Sequence, residues 1–166
     1  CQDEDLRNAL VEVIEIIGAE GGVQIMPQEA GGIMREFAEG AMWDGGWITP
    51  GFATTPGKQL DRVEDVAVVA VHGKLDDAQR IISGLARIHA AGYQTVVLIL
   101  DGLGETGKQV MLQAHHKGLI RILPLRITKS GAELMLAFQD VCVLSGATLI
   151  YGEDGELADA AFAEID

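Results

Sequence analysis

Strand-like and helix-like runs alternate from residue 66 to residue 151, and this alternation restricts the fold more than any other feature of the chain. Val66 to Val71 reads as a strand, Leu75 to Ala90 as a helix, Thr95 to Leu100 as a strand and Glu105 to Lys117 as a helix. Leu119 to Leu125 is a third strand, Ser130 to Leu144 a third helix and Thr148 to Tyr151 a last strand. Asp76 and Asp77 open the first of these helices, and Gly92, Gly118 and Gly146 stop the three in turn. Such a repeat makes a parallel sheet joined by right-handed crossovers. Thr95 to Leu100 is continuously β-prone and mostly apolar, which places it centrally, buried on both faces.

The first third follows another pattern. Asp3 to Gly18 reads as a helix, with Leu6, Ala9, Leu10, Val13, Ile14 and Ile17 at helical spacing and acids in its first turn, where the helix dipole favours them. Val23 to Met26 and Ile33 to Phe37 read as a short strand and its returning partner around Gly31-Gly32. Glu39 to Phe52 holds both tryptophans, paired glycines and a proline, so it is extended or looped. Ala53 to Glu64 is a polar connector, and Glu156 to Ile165 reads as a final short helix. The expected fold is α/β: a central, mostly parallel sheet with flanking helices and an antiparallel N-terminal layer.

Composition narrows the function. With 48% apolar residues in 166, the chain can bury a sizeable core, roughly 70% of its unfolded surface. A net charge of −13 argues against nucleic acid or an anionic membrane as partner, since both need a basic footprint. Two cysteines, Cys1 and Cys142, suggest no disulfide framework and fit a reducing, cytoplasmic setting. No apolar run approaches the ~18 residues of a membrane span. The acidic start, CQDEDL, is unlike a signal peptide, and the missing initiator Met suggests a piece of a longer chain.

Gly102, Gly107 and Lys108 spell G-x-x-x-x-G-K between a strand and a helix, the setting of a phosphate-binding loop. Gln109 stands where a hydroxyl should bind Mg²⁺, and Leu119 to Leu125 ends in Arg126 rather than a metal-binding Asp. A tight turn into a helix is the favoured reading, and a small phosphate- or nucleotide-binding domain using Gly102 to Lys108 is the alternative. His115 and His116 point ~100° apart on a helix and read as solvated. Cys142 has no basic or helix-start neighbours to activate it and reads as core. Asp101, at a strand's carboxyl end, reads as a turn-capping residue. No catalytic, metal or cofactor residue is assigned.

Apolar surface is more telling. Leu75, Ala78, Ile81, Ile82, Leu85, Ala86 and Ile88 cover a ~160° arc, wider than the ~100° stripe a surface helix needs. In the next helix Gly107, Val110 and Ala114 share the inward face, Leu112 falls nearly opposite and Met111 lies at the edge. Two readings fit: a buried helix with one stray leucine, or neighbouring helices that leave apolar edges facing solvent, where a groove between them would bind apolar peptide segments.

A resemblance enters at Glu39 to Phe52. Glu39-Gly40, Trp43-Asp44, Gly46-Trp47, Thr49-Pro50 and Phe52 resemble the E-G-x-x-F-D-x-G-Y-x-S-P-x-F run in the apical domain of group I (GroEL-type) chaperonins. Lys74-Leu75, Ala91-Gly92, Gly118-Leu119-Ile120-Arg121 and Phe138-Gln139-Asp140 through Ile150 keep that family's order over nearly the whole chain. Gly51 stands where the family usually has an aromatic, and Lys129 to Met135, KSGAELM, replaces its G-F-G-D-R-R-K signature, so the resemblance is to a divergent member.

The resemblance implies a β/β/α apical domain over residues 21–155. Residues 1–20 would lead in from an intermediate (hinge) domain, and residues 156–166 would begin the return to it. It implies binding of non-native polypeptide and of a co-chaperonin loop, through Trp47 and Phe52 in the extended segment, Ile82 and Leu85 in the first helix, and Met111 and Leu112 in the second. It implies no enzymatic activity and no cofactor in this stretch. ATP and Mg²⁺ would bind elsewhere in a parent chain that forms a ring, while the stretch alone would be monomeric. A descendant with one dedicated protein partner is a further alternative.

Overall fold

The computed structural model describes residues 4–19, 21–25, 31–37, 40–53 and 63–151. The chain divides into two compact units, Cys1–Met42 and Trp43–Asp166. In the first, α1 (Glu4–Ile17) carries Glu4 and Asp5 in its first turn and buries Ala9. Gly18, in the left-handed region at φ +74°, ends it with its N–H on the Ile14 carbonyl. The Arg35 guanidinium pairs with the Glu12 carboxylate. The strands expected at Val23 to Met26 and Ile33 to Phe37 do not form among the described residues, and Met26 lies outside them. Val23, Ile25, Ile33, Met34 and Phe37 stay exposed. A two-stranded ribbon is marginal in water without a third strand or a helix to cover one face.

The second unit is built on one five-stranded sheet. Its strands are β1 (Gly45–Trp47), β2 (Val66–Leu75), β3 (Thr95–Leu103), β4 (Arg121–Ile127) and β5 (Leu149–Tyr151), in the spatial order β1-β4-β3-β2-β5. β1 runs antiparallel to β4, and the other pairs are parallel. The antiparallel contribution thus comes from the glycine–tryptophan segment rather than from residues 23–37. β3 lies in the middle, as its continuous apolar run requires.

Three helices cover the sheet: α2 (Ala78–Ala90), α3 (Glu105–His116) and α4 (Gly131–Ser145). On one face Val96, Leu98 and Leu100 of β3 join Val69 and Val71 of β2, Ile81, Leu85 and Ile88 of α2, and Met111 of α3. Phe52, from a single 3₁₀ turn at Pro50–Phe52, completes that core. On the other face Ala70 and Ile127 pack against Leu134, Ala137, Phe138 and Val141 of α4. Two cores therefore share one sheet, and the alternation of side chains along each strand divides them.

β2 runs further than its apolar pattern predicts, through Leu75. Gly73, at φ +97°, absorbs a register shift between Val71 and Lys74, and the pairing with β3 resumes at Lys74 and Leu75. α2 consequently starts at Ala78, with Asp77 as its N-cap accepting the Arg80 N–H at 3.0 Å.

α3 sits unusually close to this junction. A Cβ on Gly107 would come within 2.6 Å of the Leu75 carbonyl oxygen and 3.0 Å of Ile81 Cδ1. Alanine is a better helix former than glycine by about 1 kcal/mol, yet the obstacle here is backbone, which cannot step aside cheaply. Gly107→Ala is therefore expected to destabilise the chain, by about 1–3 kcal/mol, in a denaturant titration. Stabilisation instead would show that α3 can move off β2.

Candidate functional site

The turn that imitates a phosphate loop already holds an anion, and it is the protein's own. Asp76, just before α2, reaches across to the N-terminus of α3. Its Oδ1 accepts the N–H of Thr106 at 3.0 Å and of Gly107 at 3.1 Å. Lys74 Nζ lies 3.1 Å from its Oδ2. α3 has no cap of its own, because its N-cap residue is Gly104. A Cβ there would overlap the Asp76 carboxylate. Lys108 Nζ approaches Glu105 Oε1 at 3.5 Å within α3. A helix N-terminus attracts phosphate because its first N–H groups lack partners, and here Asp76 supplies the partner. The Gly107 amide first, then Lys74 and last the Thr106 amide hold the Asp76 pKa below its ordinary 3.8, against the opposing effect of burial.

The six apolar residues proposed as a binding surface separate into two groups. Ile82 is 50% exposed on α2, and Trp47 and Leu112 are half-buried, packed against the core of that face. Phe52, Leu85 and Met111 are core, at 1%, 6% and 0% exposure. Each burial has a local cause. Leu85 and Ile81 are four residues apart on α2 and face the sheet together. Met111 lies one turn beyond Gly107, where α3 approaches β2 most closely. Phe52 enters the core beside His115, ring centroids 5.7 Å apart and edge-on. Leu112 is half-covered because the 3₁₀ turn lies over it: a Cβ on Gly51 would stand 3.1 Å from Leu112 Cδ2. A side chain at position 51 would press on the Leu112 methyl groups, which would have to shift by a few tenths of an ångström.

Other apolar surface went unread in the sequence. Leu136, Val143 and Leu144 project from α4, Val143 at 82% exposure, and Leu119 is exposed before β4. The available signal was that Leu136, Val143 and Leu144 fall among Glu133, Gln139 and Asp140 on the side of α4 away from Leu134, Ala137, Phe138 and Val141, whereas a one-sided surface helix keeps that side polar.

Polar candidates take structural roles. Asp101 Oδ1 accepts the Gly73 N–H at 2.6 Å, so the carboxylate secures the irregularity in β2. Its Oδ2 lies 2.7 Å from His72 Nδ1, close but not aligned as a hydrogen bond. An open cleft of about 790 Å³ at these strand ends also reaches Arg126 and Lys129, and Lys129 is paired with Glu133 at 3.4 Å. His115 is not solvated as expected: its Nδ1 accepts the Ile122 N–H at 3.1 Å. Burial first, then His116 and Arg121, lower its pKa from 6.5. Burial raises the Cys142 pKa, which keeps it a thiol. Among the described residues no group of His, Cys, Asp and Glu could hold a metal ion, and no helix is long and apolar enough to cross a membrane.

No protein-family model matches the chain. Among solved structures it is similar to the chaperonin gp146 from the bacteriophage EL 2 (Pseudomonas aeruginosa), crystallised in the presence of ATP-BeFx. The TM-score is 0.61 at 19% sequence identity. The match covers 99% of this chain and 32% of that one, so the chain spans about a third of the relative's length. The fold is thus a mixed α/β arrangement consistent with a chaperonin apical domain.

Two titrations follow. A carboxylate whose pKa falls on folding stabilises the protein above its unfolded value and loses that contribution as pH drops. Asp76→Ala should lower the melting temperature at pH 7, and the gap from the parent protein should narrow below about pH 4. A gap independent of pH would contradict the capping role. A histidine whose pKa falls on folding has the same sign of slope in a different window. Stability should be flat above about pH 6.5 and decline below it, and His115→Gln should remove that decline.

Proposed function

We propose that this chain is the polypeptide-binding domain of a divergent chaperonin-like protein, which holds non-native segments against exposed apolar surface and performs no catalysis itself. The observation that carries the reading is Ile82, a large apolar side chain half in solvent on the helical face of a chaperonin-like fold. Trp47 and Leu112 add apolar area on elements packed against the same core. Phe52, Leu85 and Met111 serve beneath them as support that fixes α2, α3 and the 3₁₀ turn. Covering a few hundred Å² of such surface supplies several kcal/mol gross, at about 25 cal/mol per Å², without demanding a particular side chain. Broad client range follows from that lack of demand.

The same surface would take the loop of a co-chaperonin. ATP and Mg²⁺ would act in another part of the parent chain, whose ring would bring several such domains together. The net charge of −13 disfavours acidic clients and keeps a chain with exposed apolar surface in solution.

Ile82→Glu is expected to reduce hydrophobic-dye binding and protection of an aggregating client while changing stability by less than about 0.5 kcal/mol. Leu85→Ala should instead cost about 2–5 kcal/mol in a denaturant titration, as a core truncation does. Unchanged client protection by Ile82→Glu would contradict the proposed surface.

A further inference from the structure

Among the described residues the sheet ends at β1, and the way β1 pairs leaves a specific set of backbone groups open. Thr128 N–H donates to the Asp44 carbonyl at 2.7 Å, and Ile48 N–H donates to the Pro124 carbonyl at 3.0 Å. Gly46 stands opposite Arg126 between them. The residues that bond to β4 are therefore 44, 46 and 48. In an antiparallel ladder the intervening residues turn their N–H and C=O the other way. The backbone groups of Gly45 and Trp47 point away from β4, where no strand flanks β1 among the described residues. Among the described residues neither has another backbone partner.

Among the described residues of this unit, no backbone group pairs with this edge. Gly45 and Gly46 are exposed, and a Cβ on Gly46 would meet nothing within 4 Å. Edges are commonly blunted by a very short strand, lysine, proline or a bulge; β1 is three residues long, so it offers two outward residues rather than a long template. Between Asp44 and Thr49 there is neither lysine nor proline, and the register is regular. An unpaired edge fits one kind of occupant, an extended chain that brings its own donors and acceptors. A helical client has already satisfied its backbone internally and gains nothing here.

We propose that β1 accepts an added strand: an extended, uncharged or basic polypeptide segment pairs its backbone with Gly45 and Trp47, with its apolar side chains against the exposed part of the Trp47 ring. This rests on the polypeptide-binding reading and deepens it by giving the client a conformation. Recognition through backbone groups is indifferent to side-chain identity, while the apolar surface supplies area.

The test uses the full 166-residue chain and an acetylated, amidated heptapeptide of alternating valine and threonine with a central lysine. Amide hydrogen exchange read by NMR should slow at least tenfold at Gly45 and Trp47 when the peptide saturates, and change little at Gly46, which is already bonded. A version N-methylated along both edges keeps its side chains and should bind at least tenfold more weakly. Peptide binding without protection at Gly45 and Trp47, or unaffected by methylation, overturns the added strand and leaves the apolar surface as the client site. So does failure of the peptide to bind while an unfolded client is still held. Failure of both peptide and client to bind defeats the polypeptide-binding reading as well.

Discussion

The close docking of α3 against the β2–α2 junction governs the helical face. The first N–H groups of a helix need partners, and α3 begins at a glycine that has none to offer. Asp76 provides them from the neighbouring connection. Gly104 must lack a side chain because that carboxylate occupies its place, and Gly107 must lack one because the Leu75 carbonyl does. Of the two glycines that imitate a phosphate loop, Gly107 is thus a steric term of a helix–strand contact, and Gly102 lies close to β2, where a Cβ would stand 3.2 Å from the Gly73 carbonyl oxygen. The physics is that of anion binding at a helix end, with a resident carboxylate as the anion. Once α3 is fixed, Met111 is committed to the core, and the 3₁₀ turn at Pro50–Phe52 closes over Leu112.

Much of the sheet was legible because its physics is local. β3 is apolar at consecutive positions because both faces are covered, and the helices end at glycines, of which Gly92, Gly118 and Gly146 adopt φ between +67° and +99°. What could not be read depends on contacts distant in sequence. The extension of β2 to Leu75 needs Gly73 in a left-handed conformation and the Asp101 carboxylate from β3 to secure it. Val23 and Ile33 have the composition of strands but no covering layer among the described residues.

The binding surface shows the same division. The wide apolar arc of α2 correctly signals that it exceeds what one face can bury, and Ile82 is the surplus. A helical wheel cannot tell that Leu85 lies within the covered sector, nor that a separate turn shields Leu112. It likewise gives no warning that Phe52 is inserted next to His115. The resulting arrangement is a double-cored sheet with a modest apolar surplus on one side and, among the described residues, an open strand edge at β1. A second surplus lies on the outer side of α4, at Leu136 and Val143. A client therefore has two apolar surfaces to choose between, the α2–α3 face and the outer side of α4.

Residue-resolved NMR of the chain with a permanently unfolded, carboxymethylated client makes that distinction directly. Client binding on the proposed surface predicts that resonance perturbations concentrate at Trp47, Ile82 and Leu112 and spare α4. Perturbations concentrated at Leu136, Val143 and Leu144 would contradict it.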